Sequence, residues 1–207
     1  LHSLRGRVVQ RCRSRPPAAT SCSLNWRSRS RAAASRACAC GCARRTIIWR
    51  RSGFRTIRDQ QKRGTLDTER RLLLDDNVTP RWALFWSHGM PQTHHPRGWT
   101  IAHVWTAAKD PTAYTHLANL CLMPECLASL SDKEGPLSQF LEYHAWRVYG
   151  WRPAHASLPN EPPGYREIQW EYLDPHPDPI RFIRERIATL SNQRVAILRQ
   201  LMGFIDP

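Results

Sequence analysis

The chain has 207 residues, enough for one ordinary domain with an extension, and a formal net charge of +14. The charge is uneven: residues 1–58 contain fifteen Arg and no Asp, Glu or Lys, whereas residues 59–207 hold 16 basic and 17 acidic groups. The basic pI of the whole chain is therefore no argument for nucleic-acid binding by the second part. No apolar run is long enough to span a membrane, and we expect a cytoplasmic protein without a membrane partner.

Residues 1–58 form an arm rich in Arg, Ser, Ala, Cys and Pro, without a sustained apolar period. This composition buries too little apolar surface to offset chain entropy, so we expect the arm to be disordered. Three interpretations stay open: a basic tail that holds phosphates, an organellar transit peptide, or a segment that is not natural coding sequence. The abrupt change of composition near Asp59 favours the third.

Residues 59–207 are predicted to be a single α+β domain, a small body in which helices dominate. Thr65, followed by acidic residues and then a leucine run, predicts a short helix that ends near Asp76. Pro80 opens a second predicted helix, which carries bulky aromatic side chains and is broken at Gly89.

Two strands and a short helix follow in the pattern. Residues 99–105 alternate between the two faces of a β-strand, and residues 117–123 form an apolar run that ends before Pro124. Residues 125–130 then predict one or two helical turns. The sequence therefore predicts a two-stranded ββα-type element inside the body.

The last third of the chain predicts two helices joined by a proline-rich connection. Ser131 and Glu134 have the spacing of a capping box, and the apolar period after them predicts a helix that ends at Gly150. A long amphipathic helix is predicted over 179–202, with an apolar repeat that is interrupted at Arg194. Its apolar face packs either on the body or on a second copy of the chain, and the short repeat favours the body.

The segment 99–133 carries the pattern most suggestive of chemistry. His103 lies near the end of the first predicted strand, fifteen residues separate it from Asn119, and Asn119 with Leu120 opens the second strand. This arrangement resembles the HNH (His-Me finger, ββα-metal) nucleases, in which a His ends one strand, an Asn-Leu pair opens the next and a helix completes the site. The resemblance implies a metal-dependent endonuclease that hydrolyses DNA phosphodiester bonds.

The resemblance also implies roles for individual residues. His103 is expected to act as the general base that takes a proton from water, work that suits an imidazole. Asn119 is expected either to hold the loop or to orient that imidazole through its amide. A divalent ion, Mg²⁺ or Mn²⁺ or else Zn²⁺, is expected to neutralise charge on the phosphate.

The metal ligands are where the chain departs from the family pattern. In the family the residue before the His is often an acid that binds the metal, and here that residue is Ala102. The ligands are then expected from Asp132, Glu125 and His116, with the imidazoles at 94–95 as a further source.

An interpretation from a different class stays open. The body is then a non-catalytic helical interaction module, with a homodimer formed through the helix at 179–202 as one version. In that case His103 is a core histidine bonded to a backbone carbonyl, and Asn119 simply begins a strand.

Overall fold

The computed structural model describes residues 54–91, 94–131 and 133–201, and the backbone of a two-residue strand, Ala39–Cys40 (β1). Most of the predicted disordered arm therefore lies outside the described residues. The body extends past the predicted boundary at residue 59, because Phe54 is 1% exposed in the main core and Thr56–Arg58 forms a strand. Within the described ranges, no helix combines the length and apolar character needed to cross a membrane.

The first sheet is built where the sequence predicted a helix, so the helix expected over 65–76 is wrong. The strands are Thr56–Arg58 (β2), Thr65–Asp67 (β3) and Leu72–Asp75 (β4), in the order β2-β4-β3. Strand β4 runs parallel to β2 and antiparallel to β3, and all of its residues are buried. A run of buried leucines is compatible with a central strand as well as with a helix. Here the pairing of β4 with β2 on one edge and β3 on the other makes it a strand.

The second sheet contains the predicted ββα-type element. Trp99–His103 (β5) pairs antiparallel with Leu120–Pro124 (β6), with Trp99 opposite Pro124 and His103 opposite Leu120. The helix Glu125–Ser131 (α2) follows directly, and the short β1 covers the other edge of β6. The fold is thus the predicted α+β class, with a third short strand added to the expected hairpin.

The hairpin is buried on both faces, which explains the unbroken apolar run of β6. Leu120 and Leu122 face the main core, whereas Cys121 and Met123 face a second cluster. Strand side chains alternate between faces, so His103 lies on the same face as Trp99 and Ile101. Both of those pack against the main core, so His103 sits on the main-core side of the sheet.

Two further helices frame the hairpin. Val78–Ser87 (α1) supplies buried aromatic rings to the main core, and Pro136–Tyr149 (α3) packs on the second cluster. The N-cap of α3 is Gly135, so the capping box predicted at Ser131 is wrong; Ser131 is instead the last residue of α2. Gly150 ends α3 with a φ of 63°, the left-handed conformation that favours glycine.

The single helix predicted over 179–202 is wrong, because the structure has two: Pro179–Thr189 (α4) and Gln193–Gln200 (α5). Leu190 is extended, and the Asn192 side chain accepts a hydrogen bond from the backbone N–H of Val195, which caps a new helix. The apolar residues of both helices enter the main core of their own chain: Ile183, Ile187, Val195, Ile197, Leu198 and Leu201. The apolar face therefore packs on the body, as the short repeat favoured.

Candidate active site

His103 is the last residue of β5, and two contacts with Tyr114 fix its imidazole. Its Nε2 lies 2.9 Å from the backbone carbonyl oxygen of Tyr114. The two rings also stack, with centroids 5.2 Å apart and planes 10° from parallel. A carbonyl oxygen only accepts, so Nε2 carries the proton and donates it. In the neutral ring, Nδ1 therefore holds the lone pair.

The carbonyl bond is the contact expected of a structural core histidine, so that part of the alternative interpretation is present. The burial differs, however. His103 is only half-buried, whereas His116 and His144 are each 1% exposed. An oriented imidazole with part of its surface open to solvent has the access that a general base needs.

Asn119 holds the loop between the strands, the first of its two expected roles. Its side chain is fully buried; Oδ1 accepts from the Trp105 N–H at 2.7 Å, and Nδ2 donates to the Ala113 carbonyl at 3.0 Å. Both of these hydrogen bonds go to backbone groups of the loop, so Asn119 acts on His103 through that loop. The amide thus fixes residue 113, next to the residue whose carbonyl receives the imidazole proton.

Tyr114 is the residue at this site that sequence reasoning missed. Its ring is fully buried, and its hydroxyl donates to the backbone carbonyl of Asp76, just before α1. Burial is the main cause that raises the pKa of Tyr114, and the negative charge of Asp75 adds to it. The phenol therefore stays neutral and remains a donor. A tyrosine among the turn residues between Asp110 and His116 was the available signal.

The predicted metal ligands do not gather at His103. Glu125 follows Pro124, which pairs with Trp99 at the other end of β5, about 13 Å away along the strand. The imidazoles at 94–95 precede β5 and lie toward that same far end. The structure therefore does not bring Glu125 together with His103.

His116, the second of the predicted metal ligands, has its ring held in the packing of the body. Its Nδ1 accepts a hydrogen bond from the Ala118 N–H at 3.2 Å, and the ring stacks on Trp151 with centroids 4.0 Å apart. It caps the short 3₁₀ turn Leu117–Asn119. Asp132, the third predicted ligand, lies outside the described residues.

In the described ranges, the donors expected for the divalent ion are not brought together, and the ion stays a prediction of the resemblance. The methyl side chain of Ala102, 5% exposed, occupies the position where an acid would stand. Across residues 54–91, 94–131 and 133–201, no three His, Cys, Asp or Glu side chains are close enough to hold a metal together.

Three arginines of the last two helices have partners within the chain. Arg194 pairs with Asp75 at 2.6 Å, and Arg181 pairs with Glu185 at 2.9 Å. Arg199 donates to carbonyl groups at the end of α4. Only the Arg199 contacts join the two helices; Arg194 connects α5 to β4, and Arg181 pairs within α4.

Two cationic residues border the loop that holds His103. The backbone N–H of Arg58 donates to the Ala108 carbonyl at 2.7 Å, and its positive charge acts to lower the pKa of Tyr114. Lys109 is exposed in the loop itself. Positive charge is thus present along the loop that follows His103, although residues 59–207 as a whole are close to neutral.

Comparison of the chain with models of protein families, with curated proteins and with solved structures found no match.

Proposed function

We propose that this protein is an HNH-like endonuclease that hydrolyses DNA phosphodiester bonds, with His103 as the general base. The order of the element supports the proposal: a strand that ends in His103, a loop, Asn119 at the entry to the second strand, and the helix α2. That order is the one on which the resemblance to the HNH nucleases rests.

The observation that carries the proposal is the hydrogen bond from His103 Nε2 to the Tyr114 carbonyl. It assigns the proton to Nε2 and the lone pair to Nδ1, so Nδ1 takes the proton from the attacking water. When Nδ1 accepts this proton, the ring becomes positively charged and its bond to the carbonyl strengthens, which stabilises the product of proton transfer. A positioned base of this kind contributes about 10²–10⁴ in rate.

The remaining groups have supporting roles in the proposal. Asn119 keeps the loop in place through the backbone of Trp105 and Ala113. Arg58 and Lys109 attract the phosphate backbone to the rim of the loop, where charge builds during attack. The attacking oxygen forms the new bond to phosphorus as the bond to the leaving sugar oxygen breaks.

The test is nicking of supercoiled plasmid DNA by the full chain, in Mg²⁺, in Mn²⁺ and in EDTA. His103→Ala is expected to lower the nicking rate about 100-fold or more, because it removes the base. His155→Ala is the matched control, since His155 is an exposed histidine elsewhere in the chain, and it is expected to leave the rate within about twofold. Equal cleavage by wild type and His103→Ala overturns the proposal, as does the absence of cleavage by wild type in all three buffers.

The alternative, a non-catalytic interaction module, is less well supported in its dimeric version. Its expected interface was the apolar face of the helix at 179–202, and the apolar residues of α4 and α5 are instead buried in their own chain. A module of this kind has to use another surface. Loss of nicking in His103→Ala distinguishes the two functions, because a binding module does not nick DNA in the first place.

A further inference from the structure

Tyr114, in the loop between β5 and β6, makes two contacts with His103 and a further contact with the start of α1. The Tyr114 backbone carbonyl accepts a hydrogen bond from His103 Nε2, and the Tyr114 ring stacks on the imidazole. Its hydroxyl reaches across to the carbonyl of Asp76, and it lies 3.4 Å from Oδ1 of Asn77. The residue is therefore tied at both ends, although it belongs to a loop.

We propose that Tyr114 is the positioning residue of His103. The catalytic part of this inference rests on the proposed function, whereas the control of the His103 tautomer by Tyr114 does not depend on it. The ring fixes the plane of the imidazole, and the hydroxyl anchors the loop so that the carbonyl stays in line with Nε2. Together they select the tautomer with its lone pair on Nδ1.

The burial of Tyr114 supports a positioning role. The ring is fully buried against the start of α1, a region that is itself held by β4 and α5. A stacked ring that cannot move away restricts the partner ring more than a mobile side chain would. His103 is the last residue of β5, and the Val104 N–H donates to the Asn119 carbonyl at 2.9 Å, which holds the backbone next to His103 but not its ring. The tyrosine supplies the orientation that the strand end does not.

The first experiment measures the tautomer of His103 directly. The full chain is labelled with ¹⁵N-histidine, the His103 signals are assigned by their loss in His103→Gln, and the two ring nitrogens are compared in wild type and variants. Wild type is expected to show the Nε2-protonated form. Tyr114→Leu, which removes both the ring and the hydroxyl, is expected to lower the ratio of the two tautomers about threefold or more, the effect of weakening one ordinary hydrogen bond.

The matched control is Trp151→Leu. It removes the ring that stacks on His116, another histidine of the same loop. Trp151 stacks on His116 as Tyr114 stacks on His103, with centroids 4.0 Å apart and planes 10° from parallel. Trp151→Leu loosens the packing of the loop to a similar degree and is expected to leave the His103 tautomer unchanged. An equal change in Trp151→Leu and Tyr114→Leu overturns the proposal, because the effect would then belong to the loop as a whole.

Tyr114→Phe keeps the ring, removes only the hydroxyl and provides the test if Tyr114→Leu does not fold. It is expected to lower the tautomer ratio to a value between those of wild type and Tyr114→Leu. A His103 tautomer that is unchanged in every folded Tyr114 variant overturns the proposal. Folding of each variant is checked by the dispersion of its proton spectrum.

Plasmid nicking is the second readout. Tyr114→Leu is expected to slow nicking about tenfold or more, since a misdirected Nδ1 no longer meets the water. Its pH profile is expected to shift relative to wild type, which a general loss of stability would not produce. If wild type does not cleave, the endonuclease proposal fails, and the tautomer measurement still decides whether Tyr114 positions His103.

Discussion

Arg194 and Asp75 form an ion pair between the last described helix and the first sheet, with Arg194 Nε 2.6 Å from Asp75 Oδ1. The Asp75 side chain is fully buried, and its second oxygen accepts from the Thr79 N–H at 2.9 Å. Arg194 also reaches Asp76 at 3.3 Å. The pair thus connects α5, β4 and the start of α1, the same place where the Tyr114 hydroxyl is anchored.

Arg194→Ala is expected to destabilise the protein by about 3–5 kcal/mol, because it leaves the buried Asp75 carboxylate without its cation. The measurement is urea unfolding followed by circular dichroism. Arg181→Ala is the control: Arg181 pairs with Glu185 on the exposed face of α4, and its loss is expected to leave the free energy of unfolding close to that of wild type. Similar losses in the two variants would mean that the Asp75 pair contributes no more than a surface pair.

Asn119→Ala tests the loop clamp. The change leaves the buried N–H of Trp105 and the buried carbonyl of Ala113 without their partners, and each orphaned group costs about 1–3 kcal/mol. The expected loss of unfolding free energy is about 2–4 kcal/mol, measured in the same urea titration. Asn160→Ala, at an exposed position in the proline-rich connection, is expected to stay within about 0.5 kcal/mol of wild type. A loss below about 1 kcal/mol for Asn119→Ala would contradict a clamping role.

The fold class and the ββα-type element could be predicted because their signals are local. Alternation over 99–105 places His103 on one face of a strand, and Pro124 marks the end of the next strand. The run Leu72–Asp75 carried no such signal. Its three leucines are consecutive and show no alternation, so pairing with β2 and β3 decided between strand and helix, and pairing is a long-range property.

The break in the last helix was concealed by its own apolar pattern. Both α4 and α5 bury apolar residues in one core, so the repeat continues across the turn at 190–192. The interruption of the repeat at Arg194 was the visible anomaly. The structure explains it, since this arginine leaves the apolar face to meet Asp75, far away in sequence.

The candidate site could be predicted only in part for the same reason. His103 ends the first strand as expected, whereas Asn119 is the last residue of the 3₁₀ turn directly before the second strand and does not open that strand itself. The contact between His103 and Tyr114 depends on how the loop folds back, which spacing does not encode. The expected ligands Glu125 and His116 were near in sequence, but register and packing direct them elsewhere.

His144, a buried histidine, provides a test that is independent of any activity. His144 on α3 lies 2.7 Å from the Tyr165 hydroxyl at Nδ1 and 3.3 Å from the Tyr172 hydroxyl at Nε2, and it stacks on Trp170 with centroids 3.6 Å apart. Burial, with a smaller contribution from the positive charge of Arg147, lowers the pKa of His144 to about 4. The imidazole is therefore neutral in the folded protein at neutral pH.

The consequence is a loss of stability in weak acid. The unfolded chain binds a proton at His144 with a pKa of about 6.5, so between about pH 6.5 and 4 the unfolded state holds more protons than the folded state. The His144 contribution is fully present above pH 6.5 and is lost as the pH falls toward 4, a change of roughly 3 kcal/mol.

Urea unfolding of wild type and His144→Phe from pH 7.5 to 4 measures this contribution as a difference. Burial also lowers the pKa of His88, so both proteins are expected to lose stability in acid, and only the difference in slope reports His144. The wild-type curve is expected to fall more steeply, because Phe has no proton to bind. Replacement of the exposed His155 by Phe is expected to leave the slope unchanged. Parallel curves for wild type and His144→Phe would mean that His144 is protonated as readily in the folded protein as in the unfolded chain.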